Sequence, residues 1–269
     1  MLAKRLLVIV VLLPIGILAI ILGGWFYALV ILAFCGVSAW EYTQLMLQSG
    51  KRPAIGLVIG GTLALVAQRQ LDGFENGPLV FSLLILASMT YHMVMFERGR
   101  DEAATDFATT LAGILYLGWI GGYLVSLRSL PNGVWWTALA LVTVWAADGA
   151  AYVVGKSWGR RPLSPRLSPN KTWEGYWGSV VGGLLSGAAL GYLLPSLGAN
   201  IPPWSGLLLG LVMGAAPTLG DLGESMIKRQ AKAKDSSQLL PGHGGVFDRM
   251  DSWLWAGVIS YYLVLWLWV

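Results

Sequence analysis

Residues 134–155 read VWWTALALVTVWAADGAAYVVG. A helix needs about 20 mostly apolar residues to cross the hydrocarbon of a bilayer. This stretch has that length and carries one charge, Asp148, which does not belong on a helix facing only lipid. Eight further runs share its character: 6–22, 25–41, 54–67, 78–96, 106–127, 175–194, 204–222 and 252–268. The eighth of the nine in chain order carries Asp221. The pattern predicts an all-α, polytopic integral membrane protein with about nine transmembrane helices.

Composition supports this reading. Apolar residues make up 56% of the 269 residues and charged residues 12%, against about 25% charged in an average soluble domain. A disordered chain, a disulfide-stapled secreted domain and an ordinary cytosolic enzyme are excluded. The single cysteine, Cys35, sits in an apolar run, so no disulfide framework exists and the residue reads as packing. The first run follows Lys4 and Arg5, as a signal peptide would. Its apolar stretch is long for one and a second run follows at once, so an uncleaved first span is expected.

Lys and Arg set the orientation. With the N-terminus in the cytoplasm and sides alternating, 16 of the 18 basic residues fall on the cytoplasmic side, leaving Arg69 and Arg128 opposite. The expected organisation is therefore an N-terminal set of five spans over residues 1–130 and a catalytic membrane region over 131–269.

The first 130 residues offer little chemistry. Glu41 and His92, near the inner ends of their spans, read as interfacial or satisfied polar groups. Residues 148–251 differ: they hold seven of the 14 acids, namely Asp148, Glu174, Asp221, Glu224, Asp235, Asp248 and Asp251. An ionisable group inside a span costs a few kcal/mol and marks function by default. A buried ion pair is the plainer alternative, weakened by the number of acids gathered at one face of the membrane. In GDLGESMIKR, Asp221, Glu224, Ser225 and Lys228 share one helix face if the helix continues out of the eighth span. Asp248 and Asp251 do so in DRMD, and Asp148 and Tyr152 in DGAAY. Three helices then aim carboxylates at one pocket.

Carboxylates without a cysteine cluster suit Mg²⁺ rather than zinc, and Mg²⁺ held this way usually accompanies phosphate. Two loops fit a phosphate. LLPGHGGVFDRMD is glycine-rich and leads into a helix whose N-terminus favours an anion. In RLSPNKTWEG, Pro169 breaks the chain, Asn170 or Thr172 caps a helix and Lys171 supplies a cation. Turns need the same residue types, so each loop alone is weak evidence; the acidic faces beside them strengthen it.

Residues 225–251, SMIKRQAKAKDSSQLLPGHGGVFDRMD, resemble the signature of the phosphatidate cytidylyltransferases, or CDP-diacylglycerol synthases. The positions that carry the resemblance are Ser225, Lys228, Arg229, Lys234, Asp235, Pro241, His243, Gly244, Gly245, Asp248, Arg249 and Asp251. The segments GDLGES, SPNKTWEG at 168–175 and ADGAAY at 147–152 also look like that family's motifs. Gly149 departs from them, since many members carry a hydroxyl there. The resemblance implies transfer of a cytidylyl group from CTP to phosphatidate with Mg²⁺, with K⁺ as a possible companion ion. It also implies a homodimer in the bacterial inner membrane with its active site facing the cytoplasm. No nucleic-acid partner is expected.

On that reading Asp221 and Asp248 are the first choices for metal ligands, with Asp148, Glu224 and Asp251 behind them. Lys171, Lys228, Arg229, Lys234 and Arg249 neutralise phosphates. Ser168, Asn170, Thr172, Ser225, Gly244 and Gly245 contact substrate, and His243 donates to a phosphate oxygen or orders its loop. Two other classes compete: an ion-coupled transporter, and a related lipid nucleotidyltransferase with another lipid or nucleotide. Gly183, Gly187 and Gly191, with Gly206, Gly210 and Gly214, form stripes that let helices approach within one subunit or between two.

Overall fold

A computed structural model describes residues 2–242 and 244–269, with the side chains of residues 2–9 and 11 outside the description. The helices are α1 (Leu2–Leu22), α2 (Gly24–Gln48), α3 (Ile55–Asp72), α4 (Gly77–Glu97), α5 (Ala103–Gly113), α6 (Gly122–Ser129), α7 (Gly133–Trp158), α8 (Trp173–Leu193), α9 (Pro203–Ala215), α10 (Thr218–Gln230) and α11 (Phe247–Leu267). Each of the nine apolar runs falls on one of these helices or on a composite of them. Among the described residues, six helices or composites are long and apolar enough to cross a membrane: Gly24–Gln48, Gly77–Glu97, Ala103–Ser129, Gly133–Trp158, Trp173–Leu197 and Pro203–Gln230. The protein is a polytopic, all-α integral membrane protein.

Three local features depart from plain helices. The fifth run passes through a π-helical stretch, Ile114–Trp119, between α5 and α6. Gly118 lies in this stretch, where an added Cβ would stand 2.8 Å from Thr62 Cα; close backbone approach and wide helical turns go together here. The eighth run does not continue unbroken through Asp221: α9 ends at Ala215 and α10 restarts at Thr218, across Pro217, which has no N–H for the helix ladder. Between α7 and α8 lies a small antiparallel hairpin, β1 (Pro162–Ser164) with β2 (Ser168–Thr172).

The chain forms two compact units, one of Met1–Ser126 with Ile227–Met250, the other of Leu127–Met226 with Asp251–Val269. Segment 227–250 thus groups with the N-terminal helices, although it lies beyond residue 130. In the first unit α2 packs on α3, α3 on the π-helical stretch and α4 on α5. Leu45, Leu65, Ile114, Leu117 and Phe247 are fully buried. Asp106 ties two loops together, accepting from Arg52 N at 2.8 Å and Arg100 Nε at 2.7 Å. His92 is the satisfied polar group that its position suggests, with Nδ1 2.8 Å from Ser88 O and Nε2 3.3 Å from Thr110 Oγ1.

In the second unit α8 packs between α7 and α9, and the glycine stripes meet inside this chain. A Cβ on Gly183 would lie 2.6 Å from Gly214 Cα, one on Gly187 2.5 Å from Gly210 Cα, and one on Gly191 2.9 Å from Gly206 Cα. Backbone thus rests on backbone along α8 and α9, which lipid-embedded helices use in place of a hydrophobic driving force. Trp268 stacks on Trp136 at 5.1 Å between ring centroids and closes the far end of α11.

Candidate active site

The second unit gathers three carboxylates. Asp221 and Glu224 stand one turn apart on α10, and Asp251 comes from α11; each offers an oxygen within 4.8 Å of the others'. Gly220 makes this possible, since a Cβ there would lie 2.5 Å from Asp251 O. The two helices therefore meet backbone to backbone just before Asp221. Asp221 in the first turn of α10 is favoured by the helix dipole. Glu224 and Asp251 are only 1% and 8% exposed.

A lysine faces this group from the hairpin. Lys171 Nζ, at the end of the hairpin, lies 2.5 Å from Asp221 Oδ2. The hairpin is anchored at its base: Glu174 accepts from the backbone N–H groups of Arg160 and Arg161, and Thr172 caps α8 by accepting from Gly175 N at 3.1 Å. Of the two capping candidates, Thr172 takes the role. Ser225 Oγ donates to Asp221 Oδ1 at 3.4 Å, so Ser225 turns back onto its own helix. Asp148 is exposed on α7, outside the three-carboxylate group, though its charge and that of Lys171 both reach Asp251. Ser168 is half-buried on β2 and Asn170 is exposed there.

The three carboxylates crowd one another. Two unit charges within 4.8 Å repel by about 3 kcal/mol or more at an effective dielectric constant of about 20. Hard oxygens without thiolate or imidazole suit a small divalent cation, and the group fits Mg²⁺ on those grounds.

The first unit treats its acids differently. Asp248, in the first turn of α11, accepts from Lys228 Nζ at 2.6 Å on Oδ1 and from Ser236 N at 3.0 Å and Gly245 N at 2.7 Å on Oδ2, and Ser236 Oγ, 3.0 Å from Oδ2, shares its one proton between Asp248 and Glu41. Its bond back to Gly245, three residues earlier, is half of a capping box. Asp248 therefore organises the glycine loop and holds Lys228 beside it. Gly244 adopts φ +83° and Gly242 φ +81°, a left-handed region where other residues are strained. Leu240 N donates to Gly244 O at 2.9 Å and closes the turn. Arg229 Nη1 donates to Ala233 O at 3.2 Å, while Lys234 and Arg249 are exposed. His243 lies outside the described residues.

Glu41, read from sequence as an interfacial or satisfied polar group, is satisfied by this loop. Glu41 on α2 is fully buried and accepts from Ser236 Oγ, Ser237 Oγ, Val246 N and Phe247 N. The signal for it was a lone acid in an apolar run, but its partners stand some 200 positions away and local spacing does not reveal them.

Comparison with known proteins places both clusters in one family. A model of the "Cytidylyltransferase family" matches residues 3–267. A phosphatidate cytidylyltransferase of Pseudomonas aeruginosa is 36% identical over 274 residues, covering 99% of this chain and 97% of its own. Those of Synechocystis and Bacillus subtilis are each 34% identical, covering 91% of this chain and 90% and 91% of their own. Since the match runs through the acidic group and the glycine loop alike, the chain belongs to the cytidylyltransferase family.

Proposed function

We propose that this protein transfers the cytidylyl group of CTP to phosphatidate, giving CDP-diacylglycerol and pyrophosphate in phospholipid synthesis. The observation that carries this reading is the close group of carboxylates Asp221, Glu224 and Asp251, with Lys171 at its edge, in a membrane-embedded cytidylyltransferase. The relatives' shared name supports phosphatidate as the acceptor.

A phosphate monoester has its second pKa near about 6, so the lipid phosphate is already ionised at neutral pH and needs no strong base. Its oxygen attacks the α-phosphorus of CTP, the α–β bridging bond breaks, and pyrophosphate leaves with the electron pair. Alignment and charge neutralisation between two polyanions are the protein's tasks. Asp221, Glu224 and Asp251 would hold Mg²⁺, with the Asp148 charge adding to their field. When bound, that ion offsets phosphate charge. Lys171 keeps one proton on Asp221 and turns the others to a phosphate oxygen. Ser168 and Asn170 of the hairpin contact substrate, as does Ser225 when its hydroxyl leaves Asp221. Lys228, Arg229, Lys234 and Arg249 counter phosphate charge, Gly244 and Gly245 offer backbone N–H groups, and His243 donates from the same loop. K⁺ as a second ion, a homodimer, and a bacterial inner membrane with the site facing the cytoplasm complete the proposal.

The test is pyrophosphate release from CTP by purified protein in phosphatidate micelles, with and without Mg²⁺, with the lipid product identified in the same tube. Metal-dependent CDP-diacylglycerol is expected. Folded protein that yields none as lipid and metal are varied overturns the assignment.

A further inference from the structure

We infer that Glu41, far from the motif in sequence, is a positioning residue for the transfer reaction, acting through Ser236 and Asp248 on Lys228. The inference rests on the reaction proposed above. Glu41 Oε1 accepts from Ser237 Oγ at 2.5 Å and Val246 N at 3.0 Å; Oε2 accepts from Ser236 Oγ at 3.0 Å and Phe247 N at 2.7 Å. Each oxygen therefore meets one hydroxyl and one backbone N–H. The hydroxyls can rotate, but the N–H groups point where the backbone aims them. Only a carboxylate presents acceptors on both sides; an amide has one oxygen and would turn its NH₂ against Val246 N or Phe247 N in either orientation.

The link onward is Ser236. Its Oγ lies 3.0 Å from Glu41 Oε2 and 3.0 Å from Asp248 Oδ2, so its one proton bridges the two carboxylates by serving one at a time, and Asp248 Oδ1 holds Lys228 Nζ at 2.6 Å. Buried contacts leave little slack in this relay. A Cβ on Gly245 would stand 2.6 Å from Glu41 Oε1, so the loop backbone already touches the carboxylate. Phe247, fully buried, packs edge-on against Tyr42 at 6.5 Å and Tyr116 at 6.3 Å between ring centroids. Consecutive residues of α2 thus grip the loop, Glu41 by its polar groups and Tyr42 by its ring. A residue that served packing alone would not need two acceptor oxygens.

The experiment uses the full chain with Glu41→Gln and Glu41→Asp. Hydrogen exchange at the Val246 and Phe247 amides is read in substrate-free protein, and kcat and KM for CTP in phosphatidate micelles. Glu41→Gln should speed exchange at both amides at least tenfold and lower kcat per folded molecule at least tenfold, with KM for CTP within about threefold of wild type. Glu41→Asp keeps both acceptors and should recover part of the kcat. Unchanged exchange, or faster exchange with unchanged kcat per folded molecule, overturns the inference. If Glu41→Gln does not fold, Ser237→Ala removes one donor; a two- to fivefold loss of kcat is expected and no loss overturns the idea. An inactive wild type counts against the reaction instead, and the exchange result still decides whether Glu41 orders the loop.

Discussion

Asp251 and Asp248 stand three positions apart in α11, yet one faces like charges and the other faces donors. Asp251 shares its surroundings with Asp221 and Glu224, accepts from Ser252 N at 2.6 Å, and has the ammonium of Lys171 nearby on Asp221. Asp248 accepts from two backbone N–H groups and a buried lysine, and shares the Ser236 hydroxyl with Glu41. The same side chain thereby lies in a group of acids that fits a cation in one unit and among hydrogen-bond donors in the other. Residue type does not separate these roles; the supply of N–H, O–H and ammonium groups around each carboxylate does.

The strongest way to break this comparison is to make the same substitution in both places. Asp251→Asn removes one of three crowded charges. Turnover should fall by two orders of magnitude or more, while the metal-free protein becomes more stable, because each like-charge pair at this spacing costs about 3 kcal/mol. Asp248→Asn puts an NH₂ among donors and leaves Lys228 facing a neutral group. Losing one partner of a buried ion pair costs about 3–5 kcal/mol, so stability should fall together with turnover. Thermal unfolding in detergent without metal, beside a turnover assay, reads both. Stability shifts of the same sign would abolish the distinction. Added Mg²⁺ should raise the melting temperature of wild type and not of Asp251→Asn.

The lysines sharpen the same contrast on a smaller scale. Lys228 is nearly buried against Asp248, whereas Lys171 and Asp221 are both about one-third exposed. Lys228→Met should destabilise by about 3–5 kcal/mol. Lys171→Met should cost under about 1 kcal/mol in stability, as partly exposed pairs do, and should show instead as a higher KM for CTP. Equal losses of stability would mean that Lys171 is structural.

These two regions were not equally legible in the sequence. The spans show in apolar run length, because each must satisfy its backbone inside lipid. Asp221 and Glu224 show in i, i+3 spacing, a local property of one helix. The same spacing joins Asp248 to Asp251, but their different environments depend on Ser236, Gly245 and Lys228, which no helix period reports. Glu41 lay further out of reach, since its partners come from the other end of the chain. Pro217 was a visible signal for the break before α10, and an apolar run counted for hydropathy passes over it. The hairpin that presents Lys171 has strands of three and five residues, too short for an alternation pattern to stand out.

Asp148 tests where the acidic region ends. It is exposed on α7 and lies outside the three-carboxylate group, whose charge it can reach through its field. A field from an exposed charge is screened over about 8 Å at physiological ionic strength, whereas direct ligation is screened far less. Asp148→Asn should therefore weaken Mg²⁺ dependence by less than tenfold, and the difference from wild type should shrink as salt is raised from low to physiological strength. Loss of turnover on the scale of Asp251→Asn, unchanged by salt, would make Asp148 a direct ligand and extend the group of carboxylates onto α7.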